Sequence, residues 1–216
     1  EISNFCQEKR IPLYREPKIS PLSLYSDNEF RQRYRMSKNA FEKMCSLFGK
    51  YLTFIDNRGN PTSPEMQLLI AFRFYATGDF QTVDGDLIGL SQPTISRIVS
   101  KVSEVIAAKS KEYIKFPSIS ECSKEAFYKI AGFPGVIGVI DCTHIEVKVS
   151  KEHQERLRNR KNKITLNVQV IVGADRRFTN LVVRWPGSVH DSRIFRRSSI
   201  CSELKANRYN GHLLGD

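Results

Sequence analysis

The spacing of apolar residues divides the chain into a helical first half and a largely extended second half. Over residues 27–51, apolar side chains recur at intervals of three and four, which predicts one long helix. The same spacing returns from Pro64 to about residue 76, and Gly78 is suited to end that second helix. The first half is therefore expected to be a helical region.

Two further predicted helices have the layout of a helix-turn-helix. A short helix over residues 83–88 is followed by Gly89, and Ser91 stands at the N-cap of a helix whose apolar face extends to residue 106. The second helix of such a motif can enter the major groove of DNA. An ordinary helical hairpin fits the pattern equally well. The residues that would face DNA are Gln92, Thr94, Ser96 and Arg97.

After a helix predicted over about residues 123–131, the periodicity becomes that of strands. Residues 136–140 form a continuous apolar run, which predicts a strand covered on both faces. Residues 166–172 alternate strictly, and residues 178–185 follow a turn. Helix resumes after Asp191 to about residue 204, and residues 212–215 form a fourth strand. That strand can return beside the first, in parallel, by a helical crossover, so the expected class is an α/β layer.

This topology predicts that three aspartates lie close together. Asp141 interrupts the first strand and Asp216 ends the fourth, so parallel pairing would place both at one edge, with Asp191 near them at the start of the crossover helix. Clustered carboxylates repel unless a cation neutralises them, and hard ions such as Mg²⁺ prefer oxygen ligands. Two such ions can drive in-line attack on phosphorus, which implies phosphodiester cleavage or strand transfer. His144 and His190 flank the cluster and could orient ligands or water, and an ordinary structural role fits each of them equally well.

Each aspartate also has a plainer explanation. Asp191 could complement the start of a helix, and Asp216 could be a turn residue after a strand. Asp141 is harder to explain structurally, because an unpaired carboxylate inside an apolar run is costly to bury.

Composition favours a polyanionic partner, although a merely basic soluble protein fits the charge balance equally well. Lys and Arg outnumber Asp and Glu by 34 to 23, for a net charge of +11 and a pI near 9.5. Five scattered cysteines without a zinc-binding pattern indicate reduced thiols in an intracellular protein, and no apolar run is long enough to cross a bilayer. One basic segment would contact phosphates rather than bases, or else be a solvated loop: Arg156, Arg158, Arg160, Lys161 and Lys163.

Several stretches, in this order along the chain, resemble the PIF/harbinger-type DDE transposases, including the harbinger transposase-derived nuclease. They are SQPTISRIV at 91–99, FPGVIG at 133–138, IDCTHI at 140–145, RWPGSVHDSRIF at 184–195 and LLGD at 213–216. The resemblance covers about residues 30–216. Cys142 departs from it, because relatives usually carry Gly at that position.

The resemblance implies a ribonuclease-H-like DDE nuclease domain over residues 132–216. A helical region at 27–131, with the helix-turn-helix at about 80–108, and an N-terminal segment at 1–26 would precede it. It also implies that Asp141, Asp191 and Asp216 bind a divalent cation, Mg²⁺ or Mn²⁺. A Glu on a later helix, beyond Asp216, would complete the site, so the domain is expected to be incomplete at its C-terminus.

The expected function is that of a metal-dependent DNA endonuclease or transposase catalytic subunit. The alternative is a domesticated, non-catalytic DNA-binding or scaffold protein that retains the fold. Expected partners are double-stranded DNA, a Myb-like DNA-binding protein and a second copy of the chain. The expected location is the nucleus and also the cytoplasm.

Overall fold

The computed structural model describes residues 20–53, 62–81, 89–118 and 124–215. The chain divides into two units, residues 1–110 and 111–216, each described below by itself. The sequence-based domain boundary at residue 131 remains a prediction. No helix within the described ranges is long and apolar enough to span a membrane.

Helices account for the regular structure described in the first unit. They are α1 (Pro21–Leu24), α2 (Asp27–Tyr34), α3 (Lys38–Phe48), a 3₁₀ turn (Gly49–Tyr51), α4 (Pro64–Thr77) and α5 (Gln92–Ala108). A four-residue helix, α6 (Ser110–Tyr113), follows at the boundary of the two units. The predicted ends of α4 are confirmed, since Gly78 adopts the left-handed conformation that closes the helix.

The single helix predicted over residues 27–51 is wrong. Arg35 adopts a left-handed backbone with φ of 58° and ends α2, and Ser37 caps α3 by accepting a hydrogen bond from the Ala40 N–H at 3.2 Å. Serine competes with helical backbone hydrogen bonds and favours N-caps, so two helices replace one. The apolar spacing continued across this break and therefore did not reveal it.

The core of the first unit is aromatic and aliphatic. Phe41 lies between Phe30 and Phe72, with ring centroids 5.8 and 6.1 Å away in edge-to-face arrangements. Gln67 is fully buried, and its Nε2 donates to the carbonyls of Leu52 and Thr62 at 3.1 and 2.8 Å. The first helix of the proposed helix-turn-helix falls at residues 83–88, outside the described residues, so that motif stays a prediction.

The second unit is a four-stranded sheet with helices. Its strands are ordered β3-β2-β1-β4, with antiparallel β1–β2 and β2–β3 pairs and a parallel β1–β4 pair. The predicted parallel return of the fourth strand is thereby confirmed. The elements are α7 (Lys124–Ala131), β1 (Val136–Glu146), α8 (Lys151–Leu157), β2 (Thr165–Val172), β3 (Phe178–Pro186), α9 (Asp191–Arg196), α10 (Ser199–Lys205) and β4 (His212–Leu214).

The crossover between β3 and β4 is two helices rather than the one predicted. The Ser198 hydroxyl accepts a hydrogen bond from the Cys201 N–H at 3.3 Å and so caps α10, directly after α9 ends. Ile194 of α9 and Ile200 of α10 are both buried. The break turns the chain while both helices keep an apolar contact with the core.

The face of β2 that carries its polar residues is the more deeply buried one. Thr165, Asn167 and Gln169 are at most 1% exposed, whereas on the other face Val168 is buried but Leu166 and Val170 are only half-buried. The polar row is covered because the loop before α9 and the helix itself pack on that side, as the Asn167 hydrogen bonds show. Alternation therefore identified the strand correctly but not its covered face.

The prediction that β1 is covered on both faces is wrong beyond its first residues. Val136 and Ile137 are buried, but Val139 is 38% exposed and Asp141 is exposed. Ile145 further along the same face is exposed as well. Asp141 is therefore not a buried charge, and the desolvation argument for its importance does not apply.

Candidate active site at the β1–β4 edge

The parallel pairing of β1 with β4 sets the geometry around Asp141. The register joins Gly138 to Leu213 and Val139 to Leu214, so Asp141 lies two residues beyond the last pair. Gly215 lies so close to Ile140 that an added Cβ would stand 2.7 Å from the Ile140 carbonyl oxygen. Asp216, the second candidate at this edge, lies outside the described residues.

The Asp141 carboxylate has solvent access and a local anchor. Its Oδ1 accepts a hydrogen bond from the Cys142 N–H at 2.7 Å. In register Asp141 faces Val170, whereas His144 faces Asn167. Because side chains alternate along a strand, Asp141 and His144 are on opposite faces of the sheet.

Asp191 is held on the face of the sheet that carries His144. The Asn167 Nδ2 donates to Asp191 Oδ1 at 2.7 Å and to the Val189 carbonyl at 2.9 Å. His144 Nδ1 and the Thr165 hydroxyl lie 3.0 Å apart beside this pair. Asn167 thus fixes both the loop before α9 and the carboxylate at its first residue.

His190, the other flanking histidine, is the N-cap residue of α9, but its side chain makes no capping hydrogen bond. The structure therefore brings His144, Asn167 and Asp191 together and leaves Asp141 across the sheet from them. Within the described ranges no group of three or more His, Cys, Asp or Glu side chains is arranged to hold a metal ion. The three-aspartate ligand set remains a prediction.

The chemistry of the available donors nevertheless suits a hard divalent cation. Asp141 and Asp191 are exposed carboxylates, and in each of them Oδ1 accepts one N–H hydrogen bond, which orients the group. Oxygen donors of this kind are the ligands that Mg²⁺ and Mn²⁺ prefer. Each of these two aspartates therefore offers one carboxylate to a cation, on opposite faces of the sheet.

Gly187 brings the loop that carries Asp191 against β2. Its N–H donates to the Thr165 carbonyl at 2.8 Å. A Cβ at this position would stand 2.0 Å from the Thr165 Oγ1 and 3.0 Å from the Leu157 carbonyl oxygen. Only glycine allows this approach, because it has no Cβ. The absence of a side chain at position 187 thus lets the loop that carries Asp191 pack against β2.

Some basic side chains of the basic segment form ion pairs, and others do not. Arg158 pairs with Glu155 at 3.0 Å and also donates to the Asn162 side chain, while Lys163 pairs with Glu146. The side chain of Asn159 accepts hydrogen bonds from the backbone N–H groups of Lys161 and Lys163. The exposed residues of the segment for which no ion pair is seen among the described residues are Arg156, Arg160 and Lys161.

The residues proposed to read DNA lie on the first turns of α5. Gln92 and Arg97 are exposed, and Thr94 and Ser96 are half-buried. The Gln92 amide donates to the Gln81 side chain at 2.9 Å. Their contact with DNA stays a prediction.

Sequence reasoning gave no role to Asn167. It alternates with Leu166 and Val168, a pattern that ordinarily places the polar residues on the exposed face, so the sequence held no signal that this row is covered. Within the row, Asn167 anchors the loop before α9 through its Nδ2, whereas the Gln169 amide has no hydrogen-bond partner among the described residues.

We predict that Asn167→Ala lowers the free energy of unfolding by about 1–3 kcal/mol, because it leaves the Val189 carbonyl without its buried partner. Asn180→Ala is the matched control, because Asn180 lies on the adjacent strand with an Oδ1 that has no hydrogen-bond partner among the described residues. Its loss should cost less than about 0.5 kcal/mol. Urea denaturation of both variants measures the difference, and equal losses would contradict the anchoring role.

Comparison with known families agrees with this architecture. Residues 140–216 match the family described as DDE superfamily endonuclease. The resemblance to the PIF/harbinger-type DDE transposases is thereby confirmed. The match begins at the end of the first, buried part of β1 and includes all the other strands.

Among individual proteins, the chain is similar to those named "Putative nuclease HARBI1". The human protein is 33% identical and the mouse protein 34% identical over 204 residues, which cover 90% of this chain and 58% of each relative. The Arabidopsis thaliana protein named "Protein ALP1-like" is 30% identical over 194 residues, which cover 86% of this chain and 48% of the relative. The chain thus spans about half the length of the curated relatives it matches. No solved structure matches it.

Proposed function

We propose that this chain is part of a divalent-metal-dependent DNA endonuclease or transposase catalytic subunit. The match to a DDE endonuclease family and the similarity to relatives named as nucleases support a nuclease-type function. The structural observation that carries the proposal is the parallel β1–β4 register, with Val139 beside Leu214. It aligns the two strands two residues before each of the candidate aspartates Asp141 and Asp216.

In this proposal Asp141 and Asp216 hold the cation at the β1–β4 edge. Asp191, which Asn167 holds on the other face of the sheet, would join the ligand set only after the loop before α9 moves towards that edge. The bound cation would supply charge stabilisation to the phosphoryl group and lower the pKa of the attacking water or hydroxyl. Hydrogen bonds orient both carboxylates. The backbone N–H of Cys142 donates to Asp141 Oδ1, and Asn167 Nδ2 donates to Asp191 Oδ1. The Glu that the resemblance implies would complete the ligand set in the full-length protein.

The direct test is nicking of supercoiled plasmid DNA by the full-length protein with Mg²⁺ or Mn²⁺ and with EDTA. Cleavage should require the cation. Cleavage that persists in EDTA after the protein has been stripped of metal would reject the metal-dependent mechanism.

Other proposals rest mainly on the resemblance. We propose double-stranded DNA as the substrate, a Myb-like DNA-binding protein and a second copy of the chain as partners, and a nuclear and cytoplasmic location. The net charge of +11 supports the first of these, because a strongly basic protein attracts polyanions.

We predict that the basic segment contributes phosphate contacts through the side chains that are not used internally. The triple variant Arg156→Gln, Arg160→Gln, Lys161→Gln should reduce the slope of log affinity against log salt by about 2.7, since each lost phosphate contact removes roughly 0.9. Fluorescence anisotropy with a labelled duplex measures the slope.

The control variant for this experiment removes three exposed charges elsewhere in the second unit: Lys129→Gln, Arg176→Gln and Lys205→Gln. It has the same net charge as the basic-segment variant. Equal slopes for the two variants would show that net charge alone determines binding and that the segment has no specific part in it.

A further inference from the structure

Three arginines of the second unit converge on an open cleft that lies outside the proposed ligand set. The cleft has a volume of about 380 Å³ and is lined by Arg184, Trp185, Arg193 and Arg197. Strand β3 supplies Arg184 and Trp185, α9 supplies Arg193, and Arg197 is the C-cap residue of α9. Sequence analysis gave these arginines no role of their own, although Arg184, Trp185 and Arg193 lie in the stretch at 184–195 that carries the resemblance.

No described residue neutralises the positive charge of this arginine cleft. None of its three guanidinium groups forms an ion pair among the residues that the structure describes. Arg184 donates to the Arg197 carbonyl at 3.3 Å and lies 5.6 Å from the centre of the Trp185 ring. Both contacts hold the guanidinium in place without cancelling its charge.

Three neighbouring guanidinium groups repel one another, and arginine does not relieve this repulsion by losing a proton. A bound anion relieves it. Planar guanidinium forks match the oxygens of a phosphate, which can accept two parallel hydrogen bonds from each. A single carboxylate would neutralise only one of the three charges, so a run of phosphates suits the cleft better.

The position of the arginine cleft relates it to Asp191. Trp185 pairs in register with Asn167, the residue that holds Asp191, and Arg193 lies two residues after Asp191 on α9. Adjacent strands lie about 4.8 Å apart. Successive phosphates of one DNA strand rise by about 3.4 Å along the helix axis. A duplex that reaches Asp191 would therefore have phosphates over the cleft within a few nucleotides.

We propose that the arginine cleft binds backbone phosphates of the DNA duplex beside the bond to be cut. The identity of the polyanion rests on the proposed function, whereas the cleft itself rests on its geometry and charge. Its contribution is to position the duplex, and the metal ligands carry out the chemistry.

Trp185 gives the test a local readout, because it is the one tryptophan in the 216-residue sequence. A titration of this chain with an unlabelled 20-base-pair duplex in EDTA should change the Trp185 fluorescence in intensity or wavelength. EDTA prevents cleavage, so the result does not depend on catalytic activity. Anisotropy with the same duplex, labelled, measures the affinity in parallel.

The diagnostic variant is Arg184→Gln, Arg193→Gln, Arg197→Gln. It should lose the DNA-dependent fluorescence change, bind at least about tenfold more weakly at low salt, and show a salt slope smaller by about 2.7. The control variant Lys129→Gln, Arg176→Gln, Lys205→Gln should keep the fluorescence change. Arg193→Gln alone removes a cleft charge without touching the Arg184 contact to α9, and should reduce the slope by about 0.9.

The outcomes separate the cleft from the catalytic proposal. A cleft variant that binds DNA like the control variant, or an Arg193→Gln slope equal to that of the unsubstituted chain, would overturn the cleft and leave metal-dependent cleavage untouched. Tighter binding of duplex RNA than of duplex DNA through the cleft would overturn the choice of DNA. Loss of cleavage in Asp141 variants with the Trp185 response intact would support both proposals.

Discussion

Asp141→Ala in the full-length protein is expected to reduce metal-dependent nicking of DNA by at least about a hundredfold while DNA affinity stays within about threefold. A catalytic metal contributes several kcal/mol of charge stabilisation to the transition state, and each 1.36 kcal/mol is a factor of ten in rate. Because Asp141 is exposed, its removal leaves no buried cavity, and the fold should persist. Plasmid nicking and duplex anisotropy measure the two quantities.

Two further variants sharpen this result. Asp141→Asn keeps the side-chain oxygen that accepts the Cys142 N–H but removes the negative charge, so it should lose cleavage almost as completely. Asp175→Ala, at an exposed aspartate of the β2–β3 turn, removes the same charge elsewhere and should cleave normally. If Asp141→Ala cleaves at the unsubstituted rate, the metal role of this residue is refuted. A non-catalytic scaffold would show no cleavage with any of these proteins.

Gly187→Ala is expected to have the largest effect on stability, a loss of about 3 kcal/mol or more. Its methyl group would meet the Thr165 Oγ1 at 2.0 Å, the Thr165 carbonyl oxygen at 2.9 Å and the Leu157 carbonyl oxygen at 3.0 Å. Two of these atoms are backbone atoms of separate elements, so relief requires moving the loop away from β2. Overpacking of this kind costs 1–3 kcal/mol, and occasionally more when backbone must shift.

The displaced loop would also carry Asp191 away from Asn167, so cleavage should fall together with stability. Gly132→Ala is the control in the same unit, since Gly132 has a φ of 67° but no atom within 4 Å of an added Cβ. Its cost should be only the left-handed strain, about 1–2 kcal/mol. Urea denaturation compares the two, and a Gly187→Ala protein more stable than the control would show that the loop does not approach β2 this closely.

The sequence predicted the strands and their order better than it predicted the bounds of the helices or which faces of the strands are buried. Alternation and apolar runs identified β1 to β4, and chain topology indicated the parallel return of β4, because a strand that follows a helical crossover returns parallel. The sequence analysis did not predict the helix breaks at Arg35 and Ser198. Each break depends on a local capping hydrogen bond that leaves the apolar spacing intact.

At the candidate site, too, the sequence predicted which residues matter but not where they lie. Motifs identified Asp141 and Asp191 as residues, but their placement on opposite sides of the sheet depends on the strand register and on the buried hydrogen bonds of Asn167. The arginine cleft depends on the crossover, which brings Arg184 beside residues nine or more positions later in the chain. Such proximity between distant residues is a tertiary property and has no local signature.

The short β4 strand has a consequence for the order in which the second unit folds. β2 and β3 are joined by a short turn and β1 and β2 by residues 147–164, whereas the β1–β4 pair closes a loop of roughly 75 residues. Non-local pairings form late, because the entropy of closing a long loop opposes them until other contacts exist. We therefore expect the edge that carries Asp141 to be completed last, after the rest of the sheet has formed.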